Sequence, residues 1–340
     1  MHTPSTLWDV AKLAGVSGMT VSRVINGNVN VADSTREKVT AAIASLRYQV
    51  NLAARAARVG TLRVGLLYSN PSAAFLSAFL VGAMERCSQS GAQLLVEHCE
   101  NQRDQRRAID KLIAAGVDGV LIPPPLCDSK AALKRLADIR MPVVAVATGR
   151  PASGVCAVRI DDEEGARTIT RHLLALGHTD IAFIQGDPKH TPAQRRFKAF
   201  IDEMAAAGLK VPPHRIAAGL FTYRSGLEAA RRLLGEQSRP TAILAANDDM
   251  AAAVIAVAHG MHLHVPQDVT VCGFDDTPVA TTVWPELTTI HQPIGDMARA
   301  AVDLLLDQIR CRRTREPMTA QHKVLPFTLV RRESSAALQF

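Results

Sequence analysis

Between Leu7 and Asn26 the chain carries side chains whose types and spacing suit reading a nucleic acid rather than catalysing a reaction. In the segment LWDVAKLAGVSGMTVSRVIN, Leu7, Val10, Ala11 and Ala14 fall on one helical face, and Val21, Val24 and Ile25 fall on another. Ala11 is small enough for two helices to cross closely, Gly15 supplies the positive φ of a tight turn, and Val16 plugs the space between the helices. Ser17 has the type and position to cap the second helix. That helix turns Gly18, Met19, Thr20, Ser22 and Arg23 away from its apolar side. Arg23 can grip guanine bidentately in the major groove, while Thr20, Ser22 and the helix N-terminus can hold phosphates, and Asn26 completes the candidate contacts. Gly18 and Met19 are poor hydrogen-bonding residues, so reading there is steric or through thymine methyls and Arg23 carries more of the discrimination. An ordinary helical hairpin with a solvated polar face explains each feature singly, but not the coincidence of turn glycine, small crossing residue, cap and basic exposed helix.

Those residues need a small scaffold. A third run, Val39, Ala42, Ile43 and Leu46, completes a mini-bundle, and Ser34 and Glu37 ahead of it have capping-box spacing. Residues 49–61 then turn small and basic, as suits a linker whose helix is marginal alone. From Arg63 onward, short β-branched or leucine-rich runs at 64–68, 93–97, 119–122, 143–147, 157–160, 181–185, 242–246 and 269–274 read as strands, with amphipathic helical runs between most of them. Alternation of this kind implies parallel sheets covered on both faces. So many units exceed one sheet, so two α/β lobes are expected, with a ligand crevice at the carboxyl ends of the strands.

Composition narrows the class. Hydrophobic residues make up 47% of 340 and charged residues 21%, which is globular rather than disordered. Residues 1–61 hold seven basic side chains (Lys12, Arg23, Arg36, Lys38, Arg47, Arg55, Arg58) against three acidic ones (Asp9, Asp33, Glu37), so more than half of the net charge of +7 sits at the amino-terminal end. A polyanionic partner is expected there. The six cysteines form no C-x-x-C pair, consistent with a reducing cytoplasm, and neither an export signal nor an apolar run of membrane-spanning length is recognisable.

The segments TLWDVAKLAGVSGMTVSRVIN, TREKVTAAIASLRY, LLALGHTDIAFIQG, NDDMA and VCGFDD together resemble the lactose and galactose repressor family of transcriptional regulators along nearly the whole chain. The resemblance implies an all-α helix-turn-helix headpiece (1–48), a hinge helix (49–61) and a periplasmic-binding-protein-like effector and dimerisation domain of doubly wound parallel sheets (62–335). Its first lobe would comprise about 62–160 and 291–322, its second about 161–290 and 323–335. In such proteins the hinge enters the minor groove, which makes Leu52, Ala53, Arg55 and Ala57 candidate DNA contacts. Family members usually have proline at Val50 and a leucine wedge at Ala57; a methyl group is a poor wedge. A weaker operator bend is therefore expected, or a substitute wedge at Leu52 or Val59.

For the effector, Ser69, Asn70 and Phe75 follow the first strand, where ligand contacts gather. The resemblance places Arg196, Phe221, Asn247 and Asp275 at ligand-contacting positions, with Ala199 where the R-x-x-G-F motif has glycine. An aromatic face with a guanidinium, an amide and a carboxylate suits a sugar. Asp161 and Glu164 are either ligand contacts or turn stabilisers. His259, His262 and His264 lack metal-ligand spacing, and Arg310, Arg312, Arg313 and Arg315 read as a solvated helix end. No cofactor and no catalysis are expected, since no phosphate loop, dinucleotide fingerprint or nucleophile elbow is present. The expected function is a cytoplasmic, sugar-controlled repressor of carbohydrate genes, a homodimer on a palindromic operator, with helices starting near Phe75 and Asp296 as candidate dimer surfaces. The chain ends too soon after LVRRESS for a heptad tail, so a coiled-coil tetramer is not expected. A sugar-metabolising enzyme and a sugar-binding transport module are the rival readings.

Overall fold

The computed structural model describes residues 7–25, 31–46, 61–69, 72–99, 102–317 and 319–338. The chain forms two compact units, Met1–Thr61 and Leu62–Phe340.

In the first unit, α1 (Leu7–Ala14), α2 (Gly18–Ile25) and α3 (Asp33–Ser45) enclose a core of Val10, Ala11, Val21, Val39 and Ala42. Gly15 sits at φ 66°, and Val16 N donates to Ala11 O at 3.0 Å, the six-to-one closure of a helix that ends on a left-handed residue. Thr20 N donates to Ser17 Oγ at 3.1 Å, so Ser17 caps α2. The capping box at Ser34 and Glu37 does not form. Helix α3 starts at Asp33 behind Ala32, which offers no side-chain cap, and Ser34 already lies inside the first turn. Asp33 instead places a negative charge at the helix's positive end.

The second unit has two lobes. The first contains a parallel sheet of β1 (Arg63–Tyr68), β2 (Gln93–His98), β3 (Gly119–Ile122), β4 (Val143–Val146), β5 (Cys156–Arg159) and β11 (His322–Val324), in the order β11-β5-β4-β3-β1-β2. One face packs on α4 (Ala73–Ser90) and α12 (Ile294–Thr314), the other on α5 (Gln102–Ala114) and α6 (Lys130–Asp138). Burial on both faces explains why its inner strands read as unbroken apolar runs. Helices α4 and α12 touch at glycine: a Cβ on Gly82 would lie 2.5 Å from Gly295 O.

The second lobe contains β6 (Ile181–Ile184), β7 (Ile216–Ala217), β8 (Ala242–Ala245) and β9 (Thr270–Cys272), parallel in the order β7-β6-β8-β9. Around them lie α7 (Asp162–Ala175), α8 (Thr191–Ala206), α9 (Tyr223–Leu234), α10 (Asp248–Gly260) and the short α11 (Val279–Thr282). An antiparallel pair, β10 (Thr289–His291) with β12 (Thr328–Val330), was not anticipated from sequence. The chain crosses between lobes after β5, β10 and β11. Because Lys323 and Val324 pair with Val158 and Arg159, the last crossing follows Val324, later than the expected 322/323 boundary.

Candidate effector cleft and DNA-reading helix

Helix α2 presents Ser17, Met19 and Arg23 to solvent, with Gly18 and Thr20 half-buried. Met19 is 67% exposed, a large apolar side chain held outward while Val21 is fully buried beneath it. Such a helix face offers an apolar contact at its start and a guanidinium one turn later, the chemistry that base reading in a major groove uses. The side chain of Ser22, and Asn26, Leu52, Ala53, Arg55 and Ala57, lie outside the described residues.

In the second unit, a small cavity, open to solvent, lies where the strand ends of the two lobes face each other. Ser72, Phe75, Pro124 and Ala147 line it from the first lobe. From the second come His190, Pro192, Arg196, Phe221, Asn247 and Asp275, and Gln292 comes from the crossover after β10. Five of the nine nominated residues thus share one cleft: Phe75, Arg196, Phe221, Asn247 and Asp275. Ser69 is half-buried at the end of β1 and does not line the cleft, and Asn70 lies outside the described residues. Asp161 and Glu164 also lie outside the cleft. Asp161 caps α7 by accepting from Glu164 N at 3.1 Å, and exposed Glu164 pairs with Arg171 at 3.1 Å. Turn stabilisation is their role in this structure.

Arg196 organises the floor. It is 5% exposed, and its Nε donates to Asp162 Oδ1 at 2.9 Å. Nη1 donates to Ala246 O at 2.8 Å and to Asp275 Oδ1 at 3.3 Å, and Nη2 donates to Gln292 Oε1 at 3.1 Å. The guanidinium carbon stands 3.6 Å from the centre of the Phe274 ring. Burial pushes the Asp275 carboxyl up to about 7, against the pull of Arg196; burial likewise raises Asp162. A carboxyl near neutrality in a cleft can accept or donate a hydrogen bond to a hydroxyl.

The aromatic wall is equally determined. Phe221 sits at φ 60°, with its ring tip against Gly186, where any side chain would collide with it. Its ring stacks on His190 at 5.4 Å, and its carbonyl accepts from Asn247 Nδ2 at 3.1 Å. Asn247 Oδ1 meanwhile accepts from Met250 N at 3.1 Å, capping α10. The amide therefore fixes the aromatic loop to a helix start as well as facing the cleft. Burial lowers the His190 pKa, opposed by Asp187 and Asp128, so the ring tends toward its neutral form. Sequence reasoning missed Asp162, His190 and Gln292: Asp162 lies in an acidic run whose members look alike in sequence, and His190 and Gln292 have no spacing or periodicity to mark them.

Two known patterns match the chain: bacterial regulatory proteins of the lacI family over residues 6–51, and the periplasmic binding protein-like domain over 170–335. The transcriptional repressor PurR of Salmonella arizonae is 36% identical, covering 90% of each chain. The transcriptional regulator DegA of Bacillus subtilis is 35% identical over 98% of this chain and 99% of its own. The chain belongs to the LacI family. Among solved structures of this family's fold, a complex of the regulator CelR with cellobiose superposes with a TM-score of 0.74 at 32% identity, covering 97% of this chain and 100% of that one. The lac repressor dimer bound to operator and the anti-inducer ONPF gives 0.73 at 30% identity, covering 98% and 100%. This LacI-family chain is thus a DNA-binding transcriptional regulator with a small-molecule-binding fold, and its relatives are regulators rather than enzymes. Among the described residues no helix is long and apolar enough to cross a membrane.

Proposed function

We propose that this regulator represses genes of carbohydrate uptake or catabolism in the cytoplasm, binding a palindromic operator as a homodimer and releasing it when a sugar occupies the cleft. The observation that carries the sugar reading is the convergence of Phe221, Asn247, Asp275 and Arg196 on one interlobe cavity. Aromatic faces pack against C–H groups while the polar groups direct hydrogen bonds to vicinal hydroxyls. The likeness to a regulator solved with cellobiose supports it. A ligand drawing the lobes together shifts the first lobes of the dimer against one another, moving segment 49–61 and changing operator affinity by about 1–3 kcal/mol. One headpiece reads half a site, and two-fold symmetry matches a palindrome. Helices α4 and α12, nominated as dimer surfaces, lie side by side, and α4 exposes Val81 and Met84 at 53% and 58%.

The test is binding of the purified chain to palindromic duplexes from its own genome, with and without mono- and disaccharides. Salt-steep binding weakened by a sugar is expected; indifference to every duplex defeats the proposal. Turnover of a sugar or sugar phosphate would favour the enzyme reading. The hinge, with Val50 and Ala57, is expected to bend its operator weakly. A strong bend in circular-permutation gel shifts that survives Leu52→Ala and Val59→Ala counts against that.

A further inference from the structure

Doubly wound folds hold phosphates and carboxylates at open helix N-termini and with spare cations. Helices α4, α8, α9 and α10 begin at this cleft, and protein oxygens already occupy their starts. Ser72 Oγ accepts from Phe75 N at α4 (3.3 Å), Thr222 Oγ1 from Ser225 N at α9 (3.2 Å) and Asn247 Oδ1 from Met250 N at α10 (3.1 Å). The start of α8 is closed most firmly. Asp128, from the opposite lobe, accepts from Thr191 N at 3.1 Å and from Thr191 Oγ1 at 2.7 Å, and is itself steadied by Thr148 Oγ1 at 2.7 Å. A full negative charge therefore stands where a ligand's anion would dock.

Cations are equally scarce. Among the described lining residues Arg196 is the one fixed positive charge, and it faces Asp162 and Asp275. Asp249 adds a further carboxylate beside the cleft, accepting from Ser72 Oγ across the lobes at 2.9 Å. Four of the five N–H groups of Arg196 already have acceptors. The remaining one suffices for a hydroxyl but not for the two-pronged grip that a phosphate or carboxylate takes.

We infer that the cleft admits an uncharged polyhydroxylated effector and rejects its phosphorylated and carboxylated derivatives, with Asp128 and Asp249 acting as the charge filter. The inference rests on the sensor reading above and deepens it. The test uses the dialysed full-length chain in non-denaturing mass spectrometry and calorimetry against matched sets: mono- and disaccharides with their phosphates and sugar acids, and nucleosides with their monophosphates. Uncharged members are expected to bind, with anionic counterparts at least tenfold weaker. Asp128→Asn and Asp249→Asn, which keep the side-chain shape, should each narrow that gap at least threefold. An anionic member bound as tightly as its neutral parent overturns the inference, as does a gap that neither variant narrows. A chain that binds no member at all overturns the sensor reading and the inference with it, a result distinguished by the absence of any neutral ligand.

Discussion

Arg23 and Arg196 are the same side chain put to opposite uses. Arg23 stands exposed on α2, available to a partner from outside the chain. Arg196 is buried among Asp162, Asp275, Ala246 and Gln292, so much of its desolvation is offset during folding. The difference teaches that an arginine's role follows from where its acceptors are. Acceptors supplied by the protein make it an organiser; acceptors left to the surroundings leave it free to meet a partner, the role proposed for Arg23.

The contrast breaks most visibly in stability. Arg196→Met strands Asp162 and Asp275 without a counter-charge and should cost about 3–5 kcal/mol in urea unfolding; an unchanged midpoint would remove the organiser role. Arg23→Ala should leave the urea midpoint alone yet weaken operator binding by about 1–3 kcal/mol, read by fluorescence anisotropy at fixed salt. A smaller effect sharpens the reader side: Gly15→Ala, at φ 66°, should cost the headpiece about 1–2 kcal/mol, seen as faster hydrogen exchange in α1 and α2. Ser17→Ala should cost about 1 kcal/mol by the same measure, through the lost cap.

The remaining expected effect is pH-dependent. The Asp275 carboxyl is raised to about 7, so the folded state holds a proton that the unfolded chain releases near pH 4. The stability it contributes is present below the ordinary carboxylate range and is lost as pH climbs through about 7. Burial lowers His172, His178 and His190, whose slopes run the other way. Comparing the protein with Asp275→Asn isolates the carboxyl: their stability difference should change between pH 4 and 7 and level off above. A constant difference would show that the carboxyl does not titrate there.

The same division governs what was legible in the sequence. Strands β1, β3 to β6, β8 and β9 are largely buried and announced themselves as apolar runs. By contrast, β7 has two residues, and β11 is exposed along its length, so neither carries a periodic signal. The turn at Gly15 and the cap at Ser17 were readable because local backbone geometry demands those residue types. Ser34 and Glu37 misled because their spacing also occurs inside a helix that has already begun. In the cleft, Arg196, Phe221, Asn247 and Asp275 were nominated through family likeness. Asp162 was not, although it holds Arg196, because its neighbours Asp161 and Glu164 offered the same chemistry and only burial separates them.

The lobes are interleaved along the chain, and this sets an order of assembly. Helix α12 and strand β11, which complete the first lobe, are encoded after the whole second-lobe sheet. On a ribosome adding about 5–20 residues each second, the residues of the DNA-reading helices emerge first, while Leu305 and Ile309 reach their places over Gly119 only near the end of synthesis. A product terminated before Ile294 therefore retains the sequence that reads DNA but leaves the first lobe's inner surface uncovered, making it a natural substrate for chaperones and proteases.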